Sequence, residues 1–257
     1  MSIVRIWAIA LNGFREVIRD RILYVLALFA LFQAGAMRFL PAISAGAHRK
    51  IFLDLGLASI TLLASVIAIF VGTGLINKEI EKRTVLILIP KPISNSEMIV
   101  GKHLGLTGVL AVIVAVMTLA LLFFFSLADV SYSLGPLLIS QLFLLIELGL
   151  LVAVALTLGC FTSSTLATLL SFGVYIMGHL SGDILELGEI SDNATIERAS
   201  RILYLILPNL ERFNLKNEIV YGILPSTSDL LINAVYGIAY TIFLLAIAIL
   251  LFSKRQF

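Results

Sequence analysis

One acidic residue, Glu147, lies near the middle of a long apolar stretch of this sequence. An ionised carboxylate at the centre of a bilayer costs about 2.5 to 3.5 kcal/mol on insertion scales, so this side chain is expected to face other helices or to be protonated. Ser140 lies one heptad earlier and falls on the same helical face. Two interpretations stay open: a pathway or gate residue, or a carboxyl group that only hydrogen-bonds between helices.

The spacing of the other reactive side chains argues against metal or cofactor chemistry. His48, His103 and His179 fall on different predicted elements, and Cys160 is the one cysteine. Neither a histidine nor a cysteine metal site is therefore expected. The segment GHLSGD at 178–183 contains a histidine and a serine, but no partner that would complete a catalytic dyad is visible. We predict no metal, no cofactor bound by this chain and no enzymatic activity.

Nucleotide hydrolysis by this chain is not expected either. The phosphate-binding pattern G-x-x-x-x-G-K-[ST] is absent from the sequence. Gly101 and Lys102 are followed by His103 and stand at the foot of an apolar segment, whereas a phosphate loop joins a strand to a helix. Work driven by ATP would need a second chain.

The composition places the chain in a membrane. Of its 257 residues, 60% are hydrophobic and 13% are charged, and the mean hydropathy is +1.07, which is outside the range of soluble domains. A helix needs roughly 20 mostly apolar residues to cross the hydrocarbon core. Six stretches qualify, at about 22–40, 53–76, 104–128, 137–161, 165–182 and 230–252. We predict an all-α polytopic fold in a single transmembrane domain, 1–257.

The basic residues predict the orientation of these spans. The cytoplasmic flanks of membrane helices carry the excess of Lys and Arg. With the N-terminus inside, most of the 18 Lys and Arg residues fall on inner segments, and six spans return the C-terminus to the same side. Both termini are therefore predicted to be cytoplasmic, in the plasma membrane or the inner membrane of the cell.

Residues 3–20 have the pattern of an amphipathic helix. Trp7, Ala10 and Val17 share its apolar face, and the arginines lie on the opposite face. Such a helix is expected to lie in the membrane interface with the apolar face in lipid. It is either a plain anchor or a lever joined to the first span.

Residues 183–229 form the longest predicted outer segment. Its apolar pieces are broken by Pro208 and Pro225 and are too short to cross a bilayer. Non-helical backbone at membrane depth is tolerated only where protein or water covers it. We therefore predict an outer cap of short helices that cover the bundle or dip into the outer leaflet.

The most unusual segment is the charged hairpin 77–103. It begins as a helical continuation of the second span, and Pro90 and Pro92 then end any helix. Ser94 and Glu97 have the spacing of a capping box, which predicts a new helix leading into the third span. Between these parts lie five consecutive aliphatic residues, Val85, Leu86, Ile87, Leu88 and Ile89. Leaving them in water would forfeit about 1.5 to 3 kcal/mol each, so they are expected to pack against lipid, the N-terminal helix or another protein.

Part of the hairpin fits one spaced pattern, E-x-x-x-[KRG]-T-x-x-x-[LI]-x-x-x-P-[IV]-[ST]-x-x-x-x-[IVL]-x-[GA]-K. The matching residues are Glu79, Arg83, Thr84, Leu88, Pro92, Ile93, Ser94, Ile99, Gly101 and Lys102. The pattern resembles the cytoplasmic signature of ATP-binding-cassette permeases of the type-2 exporter class. The order of an interfacial helix, six spans, a long first inner loop and short outer helices before the last span is also similar to that class.

The resemblance implies that the hairpin is a coupling helix for a separate ABC ATPase subunit. Two copies of that subunit would bind the ATP and Mg, and this chain would pair with a second copy of itself or with a homologous permease. The docking residues that the resemblance implies are Glu79, Arg83, Thr84, Val85, Leu86, Ile87, Leu88, Ile89, Pro92 and Ser94. The lipid bilayer is the other partner, and no nucleic acid is expected.

The outer segment carries a second, narrower resemblance. LPNLERFNLKNEIVYG at 207–222 is similar to the corresponding segment of permeases associated with multi-copper-enzyme maturation, including nitrous-oxide reductase assembly. Its candidate cap residues are Pro208, Asn209, Glu211, Arg212, Phe213 and Asn214. This similarity implies an outer-side or periplasmic protein partner.

Two other functions remain in view beside an ATP-driven exporter or extractor. One is a non-transporting membrane scaffold that anchors an assembly on the outer face. The other is a proton-coupled carrier that uses Glu147, although its spans lack the cluster of ionisable groups typical of such carriers.

Overall fold

Ten α-helices and one short 3-10 turn make up the part of the chain that the structure describes. The computed structural model describes residues 2–19, 22–43, 47–81, 94–191, 193–221 and 224–254. The helices are α1 (Ile3–Arg19), α2 (Ile22–Ile43), α3 (His48–Glu81), α4 (Asn95–Leu127), α5 (Leu134–Gly159), α6 (Ser164–His179), α7 (Ser181–Ile190), α8 (Ala194–Ile206), α9 (Lys216–Tyr221) and α10 (Thr227–Lys254), and the 3-10 turn is Glu211–Phe213. No β-strand occurs in these ranges, which confirms the all-α prediction.

Five helices, α2, α3, α4, α5 and α10, are each long and apolar enough to cross a membrane. A sixth crossing requires α6 and α7 together, and these meet at 61°. The sequence predicted one straight span at 165–182, but the helix ends at His179. One reason lies in the outer segment, because the amide of Leu210 donates a hydrogen bond to the carbonyl of Gly178 at 3.0 Å and so covers the end of α6.

The predicted charged continuation of the second span is helical as far as the structure describes it. Helix α3 has 34 residues and ends at Glu81. The remainder of the predicted hairpin up to the residue before Ser94 lies outside the described residues. The capping box is confirmed: Ser94 Oγ accepts from the amide of Glu97, and the Glu97 carboxylate accepts from the amide of Ser94.

Helix α5 is the centre of the bundle. It packs against α3, α4, α6, α9, α10 and the 3-10 turn, and its residues Leu148 and Leu150 to Ala153 are almost fully buried. A helix that is apolar all round its circumference is stable only when it is surrounded. The sequence of α5 therefore explains its position.

Helix α1 packs along α4, and glycines make the approach close. A Cβ atom on Gly105 would lie 2.6 Å from the carbonyl oxygen of Ala10, and one on Gly101 would lie 2.8 Å from the Ile9 side chain. The sequence predicted that the whole apolar face of α1 would lie in lipid. This is wrong for Ala10 and Val17, which are buried in the protein, whereas Trp7 remains exposed.

The antiparallel helices define two ends of the bundle. At the hairpin end, α3 ends near the beginning of α4, as the contact between Lys102 and Leu75 shows. At the cap end lie the turn between α4 and α5 and the segments from α7 to α9. The names hairpin end and cap end are used below for these two regions.

Candidate functional site

Glu147 is buried near the middle of α5 and faces the bundle interior, as predicted. Its side chain is 2% exposed, and its Oε1 atom lies 3.1 Å from Nε2 of His179. Oε1 has no hydrogen bond of good geometry among the described residues. The contact is therefore a close approach of imidazole and carboxyl group, which becomes an ion pair when His179 is protonated.

His179, the last residue of α6, joins Glu147 to the outer segment. Its Nδ1 atom lies 3.7 Å from Oε2 of Glu211, and its ring packs edge-on against Tyr175 at 4.8 Å between centroids. The exposed fraction of the side chain falls from 52% at Glu211 to 20% at His179 and 2% at Glu147. These three groups make a line from the protein surface to the core.

Glycines allow the outer segment to reach this line. A Cβ atom on Gly178 would lie 2.8 Å from the carbonyl oxygen of Pro208, and one on Gly237 of α10 would lie 2.8 Å from the ring of Phe213. Any larger side chain would push the segment away from α6 or α10. The position of Glu211 beside His179 thus depends on the two glycines, Gly178 and Gly237.

Aromatic residues of α10 hold the same segment from the other side. The amide of Asn209 donates to the hydroxyl of Tyr236 at 3.0 Å. The ring of Tyr236 stacks on Phe213, and the guanidinium of Arg212 lies 4.9 Å from its centroid. Asn214 Nδ2 donates to Oε1 of Glu211 at 3.1 Å. We call residues 208–214 the clamp segment.

A row of polar side chains, here called the polar seam, lies between α3 and α6 and extends from the region of Glu147 toward the hairpin end. The hydroxyl of Tyr175 lies beside Ser65, although Ser65 Oγ lacks a hydrogen bond of good geometry. Closer to the hairpin end, the hydroxyls of Thr73 and Thr168 are 2.8 Å apart. The seam places further polar groups between the two helices that flank the buried carboxylate.

Ser140 is buried on α5, but no hydrogen bond joins it to Glu147 among the described residues. The nearest polar pair along that helix is formed instead by Gln141, which accepts from Thr118 of α4 at 3.3 Å. The predicted polar stripe from Ser140 to Glu147 is therefore not continuous.

Glu97 joins three segments at the hairpin end. Besides closing the capping box, its Oε1 accepts from the amide of Ser2 at 2.6 Å, and its Oε2 lies 3.9 Å from Nη1 of Arg5. The beginning of α1 is thus fastened to the first turn of α4. A displacement of that turn would be transmitted directly to α1.

The neighbouring Gly101, Lys102 and His103 also have structural roles. Gly101 makes room for α1, and Lys102 Nζ donates to the carbonyl of Leu75 on α3 at 2.6 Å. His103 Nε2 lies 2.9 Å from the carbonyl oxygen of Gly149 on α5. The end of the hairpin pattern therefore joins α4 to three helices.

A family comparison agrees with this arrangement. The family model described as ABC-2 family transporter protein matches residues 7–257. The chain belongs to the ABC-2 transporter family. No curated protein matches it. Membership makes the chain a multi-pass permease component of an ABC transporter, and the family implies an ABC ATPase subunit as its partner. ABC-2 permease domains are generally non-catalytic.

Two of the predicted docking residues of this ABC-2 permease lie in described helices or their caps. Glu79 lies in the last turns of α3, and Ser94 caps α4. The other predicted positions, Arg83, Thr84, Val85, Leu86, Ile87, Leu88, Ile89 and Pro92, lie outside the described residues.

The sequence interpretation missed the role of His179 in the ABC-2 bundle. In the sequence, His179 was a candidate only for a metal site or a catalytic dyad. A usable signal was present, because His179 is the only titratable side chain of α6 other than Tyr175, and Glu147 is the only charged one of α5. Two such groups on helices joined by a short turn are natural partners.

Proposed function

We propose that this chain is the permease subunit of an ATP-driven exporter or extractor. A separate ATPase would bind the hairpin 77–103 in a groove. Closure of the ATPase subunits around ATP would then move the helices of the bundle. The cap end would then move a substrate outward or perform mechanical work on an outer-side partner. The arms of the hairpin, α3 and α4, carry this proposal.

These two helices are longer than a membrane requires. They have 34 and 33 residues, which corresponds to about 50 Å each, against about 30 Å for the hydrocarbon core. Charged residues concentrate where α3 ends and α4 begins, between Lys78 and Lys102. A projection of both arms into water on that side is the arrangement that a docking element needs.

The contacts at the base of the hairpin support transmission of force. Lys102 links the two arms, and Glu97 links the return arm to α1. Movement of the hairpin by an ATPase would therefore carry α1, α3 and α4 together. The aliphatic residues from Val85 to Ile89 would fill the groove on the ATPase, because their exposure to water would be costly.

The proposed assembly contains two permeases and two ATPase subunits. The second permease would be another copy of this chain or a homologue, and ATP with Mg would bind only to the ATPase chains. We place the complex in the plasma or inner membrane, with both termini in the cytoplasm. The excess of Lys and Arg on the corresponding segments supports this orientation.

The clamp segment supports an outer-side protein as the second partner. It is fixed to α6 through Glu211 and to α10 through Phe213 and Asn209, so it would follow the movement of those helices. The resemblance of 207–222 to permeases for multi-copper-enzyme maturation suggests a periplasmic maturation protein. Under this proposal the cap end pushes on a partner.

Stimulated ATP turnover tests the proposal. Ile87→Asp is expected to abolish stimulation of the ATPase by the reconstituted permease, while the protein still inserts and folds. The matched control is Ile190→Asp, an exposed isoleucine of α7 at the cap end, which is expected to leave turnover unchanged. Normal stimulation with Ile87→Asp would refute the coupling role of the hairpin.

A further inference from the structure

Four acidic or basic side chains are buried in the described part of the bundle, and three of them, Glu97, Lys102 and His103 of α4, contact main-chain groups. The fourth, Glu147, instead lies in line with His179 and Glu211. Helix α3 has no charged residue between Asp54 and Lys78, and α5 has only Glu147. Buried ionisable groups in membrane spans are costly, and chains of Asp, Glu and His often serve as proton relays. The line from Glu211 through His179 to Glu147 therefore requires a functional explanation beyond packing.

The two nitrogens of His179 face different carboxylates. Nδ1 is on the side of the half-exposed Glu211, and Nε2 is on the side of the buried Glu147. An imidazole can accept a proton on one nitrogen and release one from the other. His179 thus lies between surface and core, and the 3.7 Å between its Nδ1 and Oε2 of Glu211 assigns the first step to a bridging water or to a small side-chain movement.

We propose that Glu211, His179 and Glu147 form a proton relay that loads a proton from water at the cap end onto Glu147. Glu211 passes a proton to Nδ1 of neutral His179, which becomes imidazolium. Nε2 then releases its proton to Oε1 of Glu147, which becomes a neutral carboxylic acid. The imidazole returns to neutrality, and one proton has moved from water to the core.

The second step does not change the buried charge. Ionised Glu147 beside imidazolium and neutral Glu147 beside neutral imidazole carry the same total charge, so they interconvert by one proton moving across a 3.1 Å contact. Taking two charges out of water is costly even when they are paired. Oε1 of Glu147, which makes no hydrogen bond of good geometry among the described residues, also has acceptor capacity for the transferred proton.

The groups around His179 do not offer a competing route. Helix α5 contributes Glu147, the clamp segment contributes Glu211 and Arg212, and Arg212 lies over the ring of Tyr236. Helix α6 itself contributes Tyr175, and α3 contributes Ser65, which has no charge. On α7, Asp183 is exposed.

The relay ends at Glu147 in this conformation. The next polar pair, Thr73 with Thr168, is reached from Ser65 only after about 12 Å along α3. Along the side of the bundle between α3 and α6, a proton loaded from the cap end therefore meets no continuous chain of polar groups among the described residues. Movement of α3 against α6 would be needed to release it at the other side.

Infrared difference spectroscopy of the full chain in lipid nanodiscs tests the relay without any ATPase, so its result is independent of the coupling role of the hairpin. Acidification is expected to produce a carboxylic-acid band from a buried group. Glu147→Gln is expected to remove the band. His179→Gln is expected to slow its exchange in heavy water by on the order of 10², the scale of losing a positioned proton-transfer group.

Two further variants keep the test decisive. Glu211→Gln, at a half-exposed site, is expected to slow the exchange by a smaller factor without disturbing the core. Glu189→Gln, an exposed carboxylate of α7, is the matched control and is expected to change nothing. The relay is refuted if the band survives Glu147→Gln, if no such band appears down to the pH of unfolding, or if Glu211→Gln and folded His179→Gln exchange at the normal rate.

Discussion

The two ends of the bundle are held together by different physical means. At the hairpin end, α1 meets α4 backbone against backbone at Gly105, and Glu97 accepts hydrogen bonds from main-chain amides. At the cap end, the clamp segment is held by ionisable and aromatic side chains, foremost His179 and Tyr236. The first junction rests mainly on main-chain contacts, whereas the second, besides its glycine contacts, depends more on ionisable and aromatic side chains.

This difference corresponds to the work assigned to each end. A surface that receives force from an ATPase benefits from a rigid, closely packed base, since packed interiors transmit strain. The cap end, which would respond to that force, can use a junction whose two protonation states are similar in energy. Substitutions at the two ends should therefore fail in different ways.

The largest effect is expected from His179→Ala at the cap end. Removing the imidazole takes away the neighbour of the buried carboxyl group of Glu147, and the loss of one partner of such a buried pair in its charged form costs about 3 to 5 kcal/mol. Thermal unfolding in nanodiscs measures this loss. Glu147→Gln combined with His179→Ala should recover much of the stability, and a double-mutant cycle that is additive within about 0.5 kcal/mol would contradict the pairing.

A smaller effect is expected from Gly105→Ala at the hairpin end. The added Cβ would meet the backbone of Ala10, and overpacking of this kind costs about 1 to 3 kcal/mol. Trp7 is the one tryptophan of the chain and lies exposed on α1, so its emission and its quenching by acrylamide should report the displacement of the helix.

The matched control for that variant is Gly173→Ala on α6. No atom of the residues that the structure describes lies within 4 Å of the Cβ position of Gly173. This change should stabilise the helix by about 0.5 to 1 kcal/mol and leave the fluorescence of Trp7 unaltered. Equal behaviour of the two glycine variants would show that α1 does not depend on the close approach.

Ser94→Ala is expected to loosen the return arm of the hairpin. The substitution removes the side-chain acceptor for the amide of Glu97 and should cost about 1 kcal/mol. Hydrogen exchange should become faster in the first turn of α4 and remain unchanged in the middle of that helix. Undisturbed protection at Glu97 would indicate that the cap does not hold the turn.

The smallest effect is expected from Arg201→Gln on α8. Its ion pair with Glu197 is exposed at both partners, and such pairs contribute about 0.3 to 0.5 kcal/mol. The change in unfolding temperature should be close to the error of the measurement. A loss as large as that of His179→Ala would remove the contrast between buried and exposed charges.

The fold could be predicted from sequence because its determinants are local. A run of about 20 apolar residues specifies a span, and the capping box needs only Ser94 and Glu97. The bend after His179 could not be predicted, since it accompanies the docking of Leu210 on Gly178, two residues far apart in the chain.

The candidate sites were predictable only in part, for the same reason. Glu147 stands out as a charged residue in an apolar helix. Glu211 lies in the outer segment 207–222, which resembles that of permeases associated with multi-copper-enzyme maturation. Their connection through His179 depends on the packing of α5, α6 and the clamp segment. The second role of Glu97, as acceptor for Ser2, likewise requires the position of α1.

The central claim is that ATP work at the hairpin end reaches the cap end. Spin labels at Glu189→Cys and Ser253→Cys, two exposed sites at opposite ends, would report one intramolecular distance in a Cys160→Ala background. In complex with the ATPase, we expect the distance distribution to shift when ATP is trapped, and to stay unshifted when Ile87→Asp is added. An identical distribution with and without trapped ATP in the otherwise unaltered permease would contradict the account.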